Sequence, residues 1–238
     1  MSKYKLSIVI PVYGKANFTV SCINDLYMLK DIEATQIIVV DNAGPDDTEA
    51  RMQPFLERSN FLYAKNESNY GFGRACNIGY SLSKAENILF LNNDIRVIKS
   101  SNILNHENWT DELLKYADTH IVGPTMGQLD TKLNFVKEAN QELKNDYSYM
   151  SGWCLCASKN VFSRLDISGN GQIFDEQFFV YFEDTDLSFR ARELGIQMKI
   201  VELPVVHFGK VSSKQLNTYQ LFTKSREIFI NKWKRLIK

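Results

Sequence analysis

A chain of 238 residues, 44% hydrophobic and 24% charged, suits one soluble globular domain, or one large domain with a small excursion. Its 28 basic residues balance 28 acidic ones, which argues against a general polyanion binder and so against nucleic acid as a partner, while leaving room for a local basic patch. Of the four cysteines, Cys22 and Cys76 are isolated and Cys154 and Cys156 lie two apart; without metal-finger spacing they read as reduced thiols. Met1-Ser2-Lys3-Tyr4-Lys5 passes directly into an apolar strand with no secretory signal, and no apolar run approaches the length of a bilayer span, so the expected location is cytoplasmic.

Leu6 to Val12 is a near-continuous apolar run ended by Tyr13-Gly14 and predicts a first buried strand. Asn17 is the expected cap of a helix whose apolar positions Val20, Ile23, Leu26, Tyr27 and Met28 follow a helical period. Ile37 to Val40 predicts the second strand, stopping at Asp41-Asn42, with a helix starting near Asp46. Phe61 to Ala64 is the third strand, and Asn69-Tyr70-Gly71-Phe72-Gly73-Arg74 leads into a helix through Leu82. Ile88 to Leu91 is the fourth strand and runs into Asn92-Asn93-Asp94. Strands alternating with helices over about ninety residues indicate βαβ units and a parallel sheet.

Past Asp94 the pattern changes. A helix is expected over 109–117 and a strand over 121–123, with 127–147 as a polar hairpin and loop lying over the sheet. Tyr149 to Ala157 reads as one strand, and Ser158 as the cap of a short helix. The aromatic run Phe178 to Phe182 precedes Glu183-Asp184-Thr185-Asp186 and a helix that ends at Gly195. Met198 to Val201 is a further strand, and 215–238 reads as one C-terminal helix.

Each chemistry-bearing residue has a plain structural reading beside a functional one. Asp41 either caps a turn or accepts a hydrogen bond from a base or ribose. Gly71-Phe72-Gly73 permits close backbone approach, yet it lacks the third glycine of a dinucleotide fingerprint and the ending of a nucleotide-hydrolysing loop. Asn92-Asn93-Asp94 is either a turn or an oxygen-rich site for a hard cation and a sugar or phosphate. The carboxylates of 183–186 either complement a helix dipole or include a partly desolvated general base. His207 is either packed or a metal ligand.

Taken as an ordered set, these pieces resemble the family 2 glycosyltransferases of GT-A fold, over about Leu6 to His207. The matching pieces are Ser7 to Tyr13, Val39 to Asn42, Asn69 to Gly73 with Asn77, and Leu91 to Asp94. They continue with Phe174 to Glu176, Glu183 to Leu187 with Arg190, and His207. The resemblance is greatest to a subgroup of rhamnosyl- and galactofuranosyl-like transferases. It implies an α/β GT-A fold, a Rossmann-like, mostly parallel central sheet with flanking helices and a small acceptor-side subregion. It divides one catalytic domain into a nucleotide-binding half (1–98), an acceptor and catalytic half (99–210) and a basic amphipathic helix (211–238).

The resemblance also implies roles. Pro11, Val12 and Tyr13 line the base pocket, with Asp41 on the base or ribose. Gly71, Arg74, Asn77, Asn92 and Asn93 lie against the nucleotide. Asp94 stands in the Asp-x-Asp position and, with His207, holds Mn²⁺ or Mg²⁺ on the diphosphate. Asp184 is the catalytic base with Glu183 beside it, while Gly152 and Trp153 form the donor-sugar or acceptor floor. The motif's first carboxylate is Asn92 here, which weakens the case for strict metal dependence.

The expected reaction is inverting transfer from a UDP- or dTDP-sugar to a glycan or lipid-linked hydroxyl. A non-catalytic nucleotide- or glycan-binding domain of this fold is the alternative. A sugar-nucleotide synthesising enzyme fits less well, since Pro11-Val12-Tyr13-Gly14-Lys15 is a poor match to its Gly-rich loop. The basic tail, with Trp233, reads either as a helix packed on the domain or as a peripheral membrane contact.

Overall fold

The computed structural model describes residues 3–98, 106–209 and 217–236. Strands β1 (Leu6–Val12), β2 (Thr35–Asp41), β3 (Phe61–Lys65) and β4 (Asn87–Leu91) alternate with helices α1 (Ala16–Leu26), α2 (Thr48–Met52) and α3 (Phe72–Leu82). There follow β5 (Ile95–Val97), α4 (Trp109–Leu114), β6 (His120–Gly123), β7 (Met126–Leu129), β8 (Phe135–Ala139), β9 (Ser148–Met150) and β10 (Cys154–Ser158). The chain continues through α5 (Lys159–Ser163), α6 (Glu183–Glu193), β11 (Gln197–Ile200), β12 (Val205–His207) and α7 (Thr218–Trp233).

Seven strands form the central sheet in the order β11-β6-β10-β4-β1-β2-β3. β4, β1, β2 and β3 are parallel, while β10 runs antiparallel to both its neighbours. The apolar runs of the sequence have a direct cause in this arrangement, because successive side chains point to opposite faces and both faces are covered. Leu89 and Leu91 join Ile8, Ile10, Ile23 and Trp109 on one face. Ile88 and Phe90 join Val9, Cys76, Phe162 and Leu187 on the other. All four cysteines are free and buried, and Cys154 and Cys156 share a face as their spacing requires. Burial pushes their thiols well above the usual range, so they pack as small apolar groups.

Two smaller sheets shape the site. β5 pairs antiparallel with β12, and β8-β7-β9 form a three-stranded sheet. A third core, rich in aromatic rings, joins Leu129 and Leu133 of the β7–β8 hairpin to Phe182, Phe189, Phe229 and Trp233.

Four expectations need correction. Asn17 does not cap α1. The helix is entered through Lys15 in a left-handed conformation, and the Ala16 N–H donates to Asp46 Oδ2 at 2.9 Å, a partner thirty residues away. The expected strand over 149–157 is two strands, β9 and β10, with a break at Ser151-Gly152-Trp153 where the chain passes from the small sheet to the large one. The helix expected over 109–117 stops at Leu114. The C-terminal helix is regular over Thr218–Trp233 and ends in a 3₁₀ turn, Lys234–Leu236. The remaining residues assigned to it, 215, 216, 237 and 238, lie outside the described residues.

Candidate active site

A cavity of about 310 Å³ opens beyond the C-terminal ends of β1 and β4, the edge at which open α/β sheets receive ligands. Pro11, Val12, Tyr13 and Gly71 line it on the side of the parallel strands. Asn92, Asn93, Asp94 and His207 line it at the end of β4. Gly152, Trp153, Glu183 and Asp184 close the side of α6. The carboxylates of Asp94 and Asp184 therefore face one pocket.

Local structure explains how His207 arrives there. β5 and β12 are only three residues each, but their register sets His207 opposite Ile95, and the Phe208 N–H donates to the Asp94 carbonyl at 3.0 Å. His207 Nε2 then lies 3.1 Å from Asp94 Oδ1 and 3.3 Å from Asn92 Nδ2. Its ring stacks on Trp153 with centroids 4.7 Å apart. Asp94 is buried, and its Oδ1 accepts no hydrogen bond, since the imidazole is close without being aligned to donate. Asn93 turns away, donating to Thr19 Oγ1 at 2.9 Å.

An orphaned buried carboxylate oxygen beside an imidazole is a donor pair that suits a divalent cation. Among the described residues no cluster of three or more His, Cys, Asp or Glu could hold a metal alone. Two protein ligands fit a cation whose other positions are taken by phosphate oxygens and water.

The acidic pair begins α6, and its placement is strained. Tyr181 and Phe182, both with φ of 67°, sit in the left-handed region just before Glu183. That conformation costs of order 1–3 kcal/mol per non-glycine residue. The aromatic core holds the turn, with Phe182 stacked on Phe229 at 5.1 Å.

Asp184 Oδ2 accepts from the Gly152 N–H at 2.9 Å, and Oδ1 accepts from the Thr185 N–H at 2.7 Å. Burial raises the Asp184 carboxyl above its usual range against the pull of these donors. Glu183 has less help. Burial first, and the charge of Asp184 second, push it up to about 8, and its Oε2 is buried without a partner. The two titrate as a pair in which Asp184 carries the charge first.

Three expected residues are not among those lining the cavity. Asp41 Oδ2 accepts from the Tyr63 hydroxyl at 2.6 Å, and Oδ1 from the Gly44 N–H at 3.2 Å. The two bonds hold the turn after β2. Arg74 lies over the Tyr70 ring and pairs with Glu176 at 3.5 Å. Asn77 bonds in both directions with the Phe174 backbone, tying α3 to the segment before α6. Gly71 lines the cavity, yet its close backbone approach is to Phe179. Phe72 N–H donates to the Phe179 carbonyl at 2.8 Å, and a side chain at Gly71 would strike that carbonyl.

Other lining residues escaped the reading of the sequence. Glu138 and Tyr149 come from the small sheet, Ser151 from the break after β9, and Asn42 from the end of β2. Glu138 lies in a strand whose five residues include four exposed ones, so no apolar alternation marks it. No lysine or arginine is among the described residues that line the cavity.

Residues 7–105, under half of the chain, match the family described as Glycosyl transferase family 2. No curated protein sequence matches. Solved structures do. A mannosyltransferase from Pyrobaculum calidifontis, in complex with GDP-Man and Mn²⁺, is 14% identical with a TM-score of 0.60, over 83% of this chain and 54% of its own. TarS 1-349 of S. aureus is 14% identical with a TM-score of 0.59, over 95% and 72%. GalNAc-T7 with UDP, GalNAc and Mn²⁺ is 14% identical with a TM-score of 0.63, over 86% and 44%. The chain thus spans about half the length of the mannosyltransferase. Such likeness establishes the fold, which is GT-A, as expected from the sequence.

Proposed function

We propose that this protein is an inverting glycosyltransferase that moves a sugar from a nucleoside-diphosphate sugar to a hydroxyl of a glycan or lipid-linked acceptor. The observation that carries the reading is one cavity holding both the Asp94–His207 pair and the Asp184 carboxylate. It is supported by the family match over 7–105 and by the GT-A fold.

Asp184 takes the proton of the acceptor hydroxyl as that oxygen bonds to the anomeric carbon. The bond from that carbon to the diphosphate oxygen breaks, and its electron pair leaves with the nucleotide. One displacement inverts the anomeric configuration. The Gly152 and Thr185 N–H groups and the Thr185 hydroxyl fix the Asp184 carboxylate while leaving a lone pair free on Oδ2. Glu183, neutral beside it, shapes the acceptor pocket. Asp94 and His207 would hold Mn²⁺ or Mg²⁺, which when bound neutralises charge on the leaving diphosphate. Pro11, Val12 and Tyr13 would bound the base pocket, uridine or deoxythymidine being the favoured bases.

The transferred sugar is a hexosyl or deoxyhexosyl unit, in keeping with the rhamnosyl- and galactofuranosyl-like subgroup. The division at 98 and 210 into nucleotide and acceptor halves follows from the same reading. For a lipid-linked acceptor, α7 would present exposed Tyr219 to the bilayer, and liposome flotation tests that contact. Among the described residues no helix is long and apolar enough to cross a membrane.

The test is nucleotide release from a panel of UDP-, dTDP- and GDP-sugars with Mn²⁺. Asp184→Asn should lower transfer by about 10²- to 10⁴-fold and keep donor binding. A variant with most of its turnover removes the base assignment. No release from any donor, with nucleotide still bound, favours a non-catalytic binding domain.

A further inference from the structure

The small sheet carries a cross-strand row beside Asp184. Gly127 of β7 stands opposite Glu138 of β8 on one side and opposite Tyr149 of β9 on the other. Residues directly opposite one another share a face of the sheet. The missing side chain in the middle matters, because a Cβ on Gly127 would run into the Tyr149 ring and hydroxyl. The phenol therefore lies across Gly127. Glu138 and Tyr149 both line the cavity, and the Ser151 hydroxyl donates to Glu138 Oε1.

The chemistry of this end of the cavity is one-sided. Glu138 and Asp184 bring two carboxylates together beside the neutral Glu183, which is buried with one oxygen unpaired. No described lysine or arginine lines the cavity to offset them. Burial and these carboxylates hold the Tyr149 phenol far above its usual range, so it remains a hydrogen-bond donor. A phosphate or carboxylate on the acceptor would meet like charge here. Sugar hydroxyls would find an acceptor at Glu138, a donor at Tyr149, and an aromatic face for the ring.

We infer that the Glu138–Gly127–Tyr149 row is the acceptor platform, and that it selects an uncharged, hydroxyl-rich sugar over one bearing a phosphate or carboxylate. The inference rests on the reading of Asp184 as the base. Glu138 and Tyr149 are specificity residues that sequence motifs do not mark.

Two measurements on the full chain separate this inference from the transferase reading. The first is transfer, with Mn²⁺ and the donor that gives nucleotide release, to p-nitrophenyl β-galactoside, β-glucoside and β-glucuronide. The neutral glycosides should be used and the glucuronide should not. Glu138→Gln and Tyr149→Phe should each raise the KM for the neutral glycosides about tenfold, the loss of one hydrogen bond, with donor KM unchanged. The second is saturation-transfer NMR of the same glycosides with UDP and Mn²⁺. Contact with the neutral glycosides should fade in Glu138→Gln. Equal use of the glucuronide, or an unchanged neutral-acceptor KM in both variants, overturns the platform. Absence of turnover with every donor sinks transfer alone, since the NMR contacts and their loss in Glu138→Gln still decide what the row binds.

Discussion

Trp233 Nε1 donates to Asp186 Oδ1 across 2.9 Å, joining the last turn of α7 to the helix that begins with Glu183 and Asp184. Asp186 is fully buried. Its Oδ1 also meets Lys232 Nζ at 2.8 Å, and its Oδ2 accepts from Arg190 Nε at 2.9 Å. Lys232 reaches Asp175 as well, at 2.6 Å, and Arg190 donates to the Leu165 and Ile173 carbonyls. Three of the tail's basic residues, Lys232 among them, thus have partners within the fold. Arg226 bonds Asn134 and Arg235 pairs with Glu193. Buried Phe229 and Trp233 pack this face of the helix on the domain.

Trp233→Phe keeps an aromatic ring in the third core and removes one hydrogen bond to a buried charge. Such bonds contribute about 1.5–3 kcal/mol. Urea denaturation should show a loss of that size with an unchanged slope. Unchanged stability would mean that Lys232 and Arg190 satisfy Asp186 by themselves.

Gly152 is the second lever on Asp184, the proposed base. A Cβ there would stand 3.0 Å from Asp184 Cβ and 3.3 Å from Oδ2, while its N–H holds that same oxygen. Gly152→Ala should push the carboxylate off its position and lower kcat, with little change in nucleotide affinity. Displacements of about 1 Å cost up to about 10²-fold in rate. A kcat within twofold of the parent would show that the base need not be held there.

Glu183 should leave a mark on stability as a function of pH. Its folded-state value, about 8, lies above the ordinary 4.5, so between these the folded protein binds the extra proton. A raised carboxyl contributes stability that is present below the unfolded-state value and is lost as pH rises through the folded one. Glu183→Gln removes that loss. The difference in Tm between variant and parent should therefore grow in the variant's favour from about pH 5 to about pH 8 and then level off, at about 2–4 °C per kcal/mol for a chain of this size. A pH-independent difference would place the titration elsewhere.

How far the chain could be read in advance follows from where its signals lie. β1, β2 and β4 are covered on both faces, so each carries a continuous apolar run, Ile8–Ile10, Ile37–Val40 and Ile88–Leu91, whose C-terminal end is legible. The motif residues at those ends, Tyr13 and Asp94 among them, could be placed at one crevice. Three-residue strands carry no such signal. β5 has only Ile95 and Val97 inward, yet it delivers His207 to Asp94. The Ser151-Trp153 break was hidden inside one apolar-looking run, because β9 and β10 belong to different sheets. Asn77 and Asp41 show the opposite limit: their positions match the motif, while their bonds run to Phe174, Tyr63 and Gly44 within the fold.

The Asp94–His207 pair gives the sharpest expectation about metal. With Asn92 in place of a carboxylate and no lysine or arginine among the described residues lining the cavity, a divalent ion is the charge expected to offset a bound nucleotide diphosphate there. Mn²⁺ should therefore tighten UDP binding in the parent protein. Asp94→Ala removes the orphaned oxygen and should lose that enhancement, about tenfold or more in Kd and so at least about 1.4 kcal/mol. His207→Ala also removes the ring stacked on Trp153, so part of its loss should persist without metal. Calorimetric titration of UDP with and without Mn²⁺ reads both effects. Equal Mn²⁺ enhancement in the parent and in Asp94→Ala would move the cation to other ligands.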